Sequence, residues 1–148
     1  MQVIFLQSKS RNEGQAMVEA ALTMLMFFVF LFAIFEAGRF IQVRQALTDA
    51  AREGARRSVA PMTQTLPGDL PTTADVQGIV QSYLQSASIY VPANCPPICV
   101  NQALDIGGVT YTLVTITYPY RIMTLVMFSD LNMTLTGQSL MRNETSAK

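Results

Sequence analysis

The sequence predicts an α+β protein. A long N-terminal transmembrane and stalk helix comes first, followed by a small head in which a covering helix lies on an antiparallel sheet of two or three strands. Three observations predict this. Residues 20–35 contain no charge and hold five of the eight Phe in the chain. Residues 39–57 are dominated by Ala, Leu, Gln, Arg and Glu, with no proline before Pro61. Residues 109–118 are rich in β-branched and aromatic types, which favour strands.

Ten of residues 20–35 are Leu, Ile, Val or Phe, contributing roughly −3 to −6 kcal/mol to insertion. Sixteen helical residues cover about 24 Å. A hydrocarbon core is about 30 Å thick, so Met17, Val18 and Ala37 are needed to complete the span. Glu19 and Glu36 then fall near its two edges. The competing readings are a buried core helix and a cleaved secretory signal. The first requires a chain of 148 residues to hide five clustered Phe. The second lacks a small-x-small cleavage site after the run.

Beyond the run, Phe40, Val43, Leu47, Ala50 and Gly54 recur at three-and-four spacing and define a helix packing seam. Ala46, Ala50 and Gly54 stand four apart, which permits close approach of another helix. The seam packs on its own domain, on a neighbour, or on both with one side to each. Glu36–Arg39, Asp49–Arg52 and Glu53–Arg57 have helical ion-pair spacing, worth about 0.2–0.5 kcal/mol each. Residues 15–60 thus read as one helix, the first half in lipid and the second in water. Gly14 sits where this helix should begin.

Residues 61–71 have the Pro-rich composition of a linker, and residues 72–148 form the head. Thr72 or Thr73 can cap a helix with Asp75 near its N-terminus. Val76, Ile79, Val80, Tyr83, Leu84 and Ala87 then form one apolar face. Cys95 and Cys99, with three residues between them, read as a structural disulfide closing a small loop; two buried free thiols are the other reading. A disulfide requires an oxidising compartment. Gly107 and Gly108 make a turn before the strand 109–118, whose Thr residues face solvent and which Pro119 ends. Residues 122–128 are strongly apolar but too short to span a membrane. They read as a short covering helix or as a second packing surface. Residues 131–141 read as a strand antiparallel to 109–118.

Several chemistries are disfavoured. Ten basic residues offset ten acidic ones, so no basic field exists to hold nucleic acid. The absence of His removes the commonest general base and zinc ligand. Two cysteines alone do not complete a zinc site. No cofactor, metal or catalytic residue is expected, and the chain reads as a non-enzyme.

Gly14-Gln-Ala-Met-Val-Glu19-Ala-Ala-Leu, the apolar run, Glu36-Ala-Gly-Arg39 and the stretch from Arg44 to Arg56 resemble the N-terminus of TadE-like proteins. These are pilin-like proteins of bacterial tight-adherence (Tad, Flp-type) pili. The tail from Leu135 to Glu144 is also similar to that family's ending. The resemblance implies a type IVb minor pilin or pseudopilin precursor, with residues 1–14 as leader. A prepilin peptidase would cut between Gly14 and Gln15. Glu19 would pair with the new amino terminus of an adjacent subunit; simple snorkelling to the interface is the bland alternative. Ala20 stands where the related major pilins carry an aromatic residue, which points to a minor subunit.

The implied partners are the peptidase, other pilin-like subunits, the pilus assembly platform and inner-membrane lipid. The implied location is the bacterial inner membrane, single-pass, with the leader cytoplasmic and the head periplasmic, and with entry into an extracellular pilus as a further step. Charge alone would place the C-terminal side inside, because Arg39, Arg44 and Arg52 outnumber Lys9 and Arg11. The resemblance and the cysteine pair reverse that assignment. The other functional classes are an anchored periplasmic binding module that never enters a filament and a small secreted enzyme.

Overall fold

The computed structural model describes residues 10–60, 70–122 and 132–143, with side chains described from Gly14 onward. The order is α1 (Ser10–Ser58), α2 (Thr73–Ser86), β1 (Ile98–Ile106), β2 (Val109–Arg121) and β3 (Asn132–Arg142). This is α+β, with one long helix, a second helix and a three-stranded antiparallel sheet. Two compact units divide inside α1, as Met1–Gly38 and Arg39–Lys148.

α1 starts four residues before Gly14. Gly14 is therefore interior to the helix and not its first residue. A single glycine costs about 1 kcal/mol relative to Ala, too little to halt a 49-residue helix without proline. The last turn carries Arg56 and Arg57, which suit the negative helix terminus. In the first unit, Met17, Phe27, Phe30 and Phe35 are all more than half exposed. The apolar window there has a mean hydropathy of 2.4 and none of it is buried. The described structure gives the core-helix alternative no support: none of the described residues buries this stretch.

In the second unit the sheet order is β1-β2-β3. Gly107 and Gly108 adopt φ of +66° and +81°, which glycine tolerates and a two-residue hairpin turn of this type needs. Ile106 pairs with Val109 across the turn. Thr112, Val114, Ile116 and Tyr120 point one way from β2 and are buried. Val114, Ile116 and Tyr120 join Ile98, Leu135, the α1 residues Leu47, Ala50, Ala51 and Ala55, and the α2 residues Val76, Val80 and Leu84 in one core.

α2 begins with Thr72 as N-cap. The Asp75 N–H donates to Thr72 Oγ1 at 3.3 Å, and the Thr72 N–H donates to Asp75 Oδ2 at 3.0 Å, a reciprocal capping box. Of the expected apolar face only Val76, Val80 and Leu84 are fully buried, while Tyr83 is exposed. An i, i+4 stripe is enough to meet one sheet edge and α1.

Two expectations are corrected, and the third of the two or three expected strands is located. Pro119 does not end β2, which continues to Arg121. The Thr117 N–H donates to Pro97 O beside the start of β1. Residue 119 faces the same edge, past the end of β1, where a missing N–H costs no ladder bond. Thr112 does not face solvent. Val114 and Ile116 set the inner face, and Thr112 shares their parity, its hydroxyl donating to Asn143 Oδ1 at 3.3 Å. β1 is a full strand where none was specified. Its sequence breaks alternation because the register shifts between Asn101 and Leu104. Residues 61–69 of the expected linker, and 123–128 of the apolar stretch 122–128, lie outside the described residues.

Candidate functional site

The first candidate region is the apolar stretch with its polar start. Gly14, Gln15 and Glu19 are exposed on α1. Thr23 donates through its hydroxyl to Glu19 O at 2.8 Å, one turn on. Ala16, Ala20 and Thr23 lie beside Glu19, with Met24 and Phe27 completing a shallow groove along the helix. Small residues around a carboxylate let another helix come near it.

The seam is the second region, and it turns inward. Leu47, Ala50 and Gly54 are buried in the core of the second unit, with Phe40 and Val43 packed against it. A Cβ built on Gly54 would sit 2.5 Å from Val80 Cγ2, so α2 makes the close approach that the small residues permit. Within the chain, the seam packs on its own domain. β3 comes equally close at Gly137, where a Cβ would lie 2.6 Å from Leu47 O. Glycine inside a strand is the sequence sign of such an approach, and it escaped notice at position 137.

Arg39 and Tyr120 form an unforeseen contact across 81 positions. Arg39 Nε donates to Tyr120 Oη at 3.1 Å, and Arg39 Nη2 donates to Arg121 O at 2.6 Å. The guanidinium also lies 4.8 Å from the Tyr120 ring centroid, while Phe40 meets the same ring edge-on at 5.7 Å. Nothing local in the sequence links these residues.

Farther along α1, Arg52 meets Asp49 at 3.5 Å and Arg57 meets Glu53 at 2.9 Å. Glu53 also takes two hydrogen bonds from Arg56, at 2.8 and 2.6 Å, a partner three residues on that was not among the expected pairs. Hydrogen bonds from Arg56 and then Arg57 hold the Glu53 carboxyl down to about 2. Asp75 is likewise held below the ordinary carboxylate range by its bonds from Thr72. Because the Glu53 carboxylate binds its proton more weakly in the folded state, its contribution is complete above about pH 5 and fades as pH falls toward about 2. With the side chain 27 % exposed, solvent screening leaves about 1 kcal/mol. Glu53→Gln should therefore lower head stability near neutral pH by this small amount and flatten the loss below about pH 5. Thermal melts of the detergent-solubilised chain across that range read it; parallel wild-type and variant curves would contradict it.

Cys95 and Cys99 are joined by a disulfide with a Cα–Cα distance of 4.7 Å. The pair borders an open cleft lined also by Thr73, Gln77, Asn101 and Thr115. Gln77 is already engaged, donating to Ile98 O at 2.8 Å. Among the described residues no group of three or more metal-ligating side chains comes together.

These features describe an anchor-type protein: one exposed apolar helix, fit for a single membrane crossing, leading into a small α+β head. Residues 14–56 match the model of the family described as TadE-like protein. The matched segment begins at Gly14, spans less than a third of the chain, and includes Glu19, the apolar stretch and the seam. No curated protein and no solved structure matches the chain.

Proposed function

We propose that this chain is a minor pilin, or pseudopilin, precursor acting in biogenesis of a Tad/Flp-type pilus for surface adherence. A prepilin peptidase removes residues 1–14. The helix stays in the inner membrane, the head stands in the periplasm, and other pilin-like subunits and the assembly platform are its partners. The observation that carries this reading is the position of Glu19. It is the only charge between Gln15 and Phe35, set inside the exposed apolar helix five residues after Gly14. Cleavage after Gly14 would create an ammonium at Gln15. In a medium of low dielectric, an ammonium and a carboxylate on neighbouring subunits each favour the other's charged form.

Since α1 runs through Gly14, the peptidase must meet or open a helical substrate there. Gly14→Leu, which adds bulk and raises helix propensity, should leave the leader attached and stop function in pilus assembly. The intact mass of the variant, co-expressed with the peptidase, checks this. Unchanged processing of the variant would count against peptidase recognition at this bond.

A further inference from the structure

The two edges of the sheet differ. The Asn143 N–H donates to Thr110 O at 2.9 Å, so these residues face each other as a hydrogen-bonded pair between β3 and β2. Antiparallel pairs alternate, and Met141, Ser139 and Gly137 therefore also turn their peptide groups to β2. Thr136, Gln138 and Leu140 turn theirs away from it. All three are exposed, and nothing among the described residues pairs with their N–H and C=O groups. The middle of β3 thus offers six backbone groups in one line. The register with β2 is unbroken from Asn132 to Arg142, and no proline or charge lies between those two residues. Bulges, prolines and charges are what guard a free edge, and this one has none of them.

The β1 edge is guarded. There the Ile98 N–H donates to Asn94 O at 2.7 Å, and Ile98 O accepts from Gln77 Nε2 at 2.8 Å. The shift between Asn101 and Leu104 then breaks the line, with the Ala103 N–H turned to Asn101 Oδ1. Asp105 adds a charge. The sheet is therefore open to extension on the β3 side.

We infer that the middle of β3 takes an extended segment of another pilus subunit as a fourth strand. Backbone hydrogen bonds supply the affinity, and alternate side chains supply the specificity. A second copy of β3 fits poorly. Paired antiparallel about Gly137, it would set Thr136 against Gln138 and Thr134 against Leu140, with no aromatic, Thr–Thr or opposite-charge pair across the strands. The entering strand is uncharged, to match an uncharged edge, and carries aromatic or β-branched residues. The identity of the partner rests on the pilus reading, whereas the open edge does not.

Amide exchange followed by NMR on the full detergent-solubilised chain reads the edge first. Thr136, Gln138 and Leu140 should exchange about tenfold or more faster than Gly137, Ser139 and Met141. Slow exchange at all six would mean that the chain itself or a second copy covers the edge, and would overturn the inference. Co-purification of the tagged chain with the other pilus subunits, from cells that express the pilus system, then reads the partner. Gln138→Pro removes an outward N–H and leaves the bonds to β2, so it should melt like wild type yet recover about tenfold less partner or worse. Gln138→Lys keeps the N–H and guards the edge with a charge; it should lose partner too, and it serves where the proline variant does not fold. Gln138→Thr should bind as wild type does. If the folded Pro and Lys variants also bind as wild type does, the fourth strand is refuted and the pilus reading stands. If wild type recovers no pilus subunit, the pilus reading fails and this partner with it.

Discussion

Gly137→Leu should unfold the head at a much lower temperature than the parent chain. The reason is where the new side chain must go. A Cβ at 137 falls 2.6 Å from Leu47 O and 2.7 Å from Leu47 C, both backbone atoms of α1. Backbone in the middle of a helix does not yield without breaking its own hydrogen bonds. Either β3 moves off α1 or its register slips, and a one-residue slip would turn Leu135 out of the core. Overpacking of this kind costs about 3 kcal/mol or more, which for a head of this size lowers Tm by roughly 10–20 °C. Gly54→Ala is the instructive comparison. Its Cβ meets a side-chain methyl of Val80 and no backbone atom, and it adds a single methyl where Leu adds four carbons, so its effect should be smaller. Near-ultraviolet circular dichroism of the tyrosines follows both. Equal melting of Gly137→Leu and wild type would mean that β3 does not lie on α1 as described.

Glu19→Gln should leave membrane insertion intact and abolish assembly. Neutralising a carboxylate inside an apolar run only lowers its cost in lipid, so yield in the membrane fraction should hold or rise. If Glu19 meets the amino terminus of a neighbour, Gln leaves that ammonium buried without its counter-charge. Removing one partner of a buried pair costs about 3–5 kcal/mol, or about 100-fold or more in subunit association. Co-purification of tagged and untagged copies with the other pilus subunits measures this. Unimpaired association of Glu19→Gln would leave Glu19 as a residue that merely reaches the interface. Glu19→Asp separates charge from reach, since it keeps the carboxylate on a shorter stem.

Elements that declare themselves locally were legible in the sequence. The apolar run has no charged interruption, Thr72 and Asp75 carry the spacing of a capping box, and paired glycines demand a turn with positive φ. Residues 131–141 read as a strand, and β3 occupies Asn132–Arg142. What escaped depended on residues distant in the chain. β1 hid because its bulge breaks the period of two. Pro119 misled because whether proline ends a strand depends on which edge lacks a partner, and that is set by where β1 starts. Thr112 misled because Leu113 and Val114 put apolar side chains on both faces, so only the packed sheet decides which face is inner.

The candidate site divides in the same way. Gly14, Gln15 and Glu19 are a local pattern and could be picked out without a fold. The seam of Phe40, Val43, Leu47, Ala50 and Gly54 was visible as a stripe, but its occupant was not. Small residues advertise close approach without saying what approaches, and here α2 and β3 do. The Arg39–Tyr120 clamp had no sequence sign at all, because a cation and an aromatic ring 81 positions apart share no periodicity.

The most direct test of the central claim is the intact mass of the wild-type protein extracted with detergent from membranes of cells that contain the peptidase. A retained anchor that has lost its leader predicts a chain beginning at Gln15 with the Cys95–Cys99 bridge closed. A membrane form that still begins at Met1, or a chain recovered in the aqueous fraction without detergent, would contradict it.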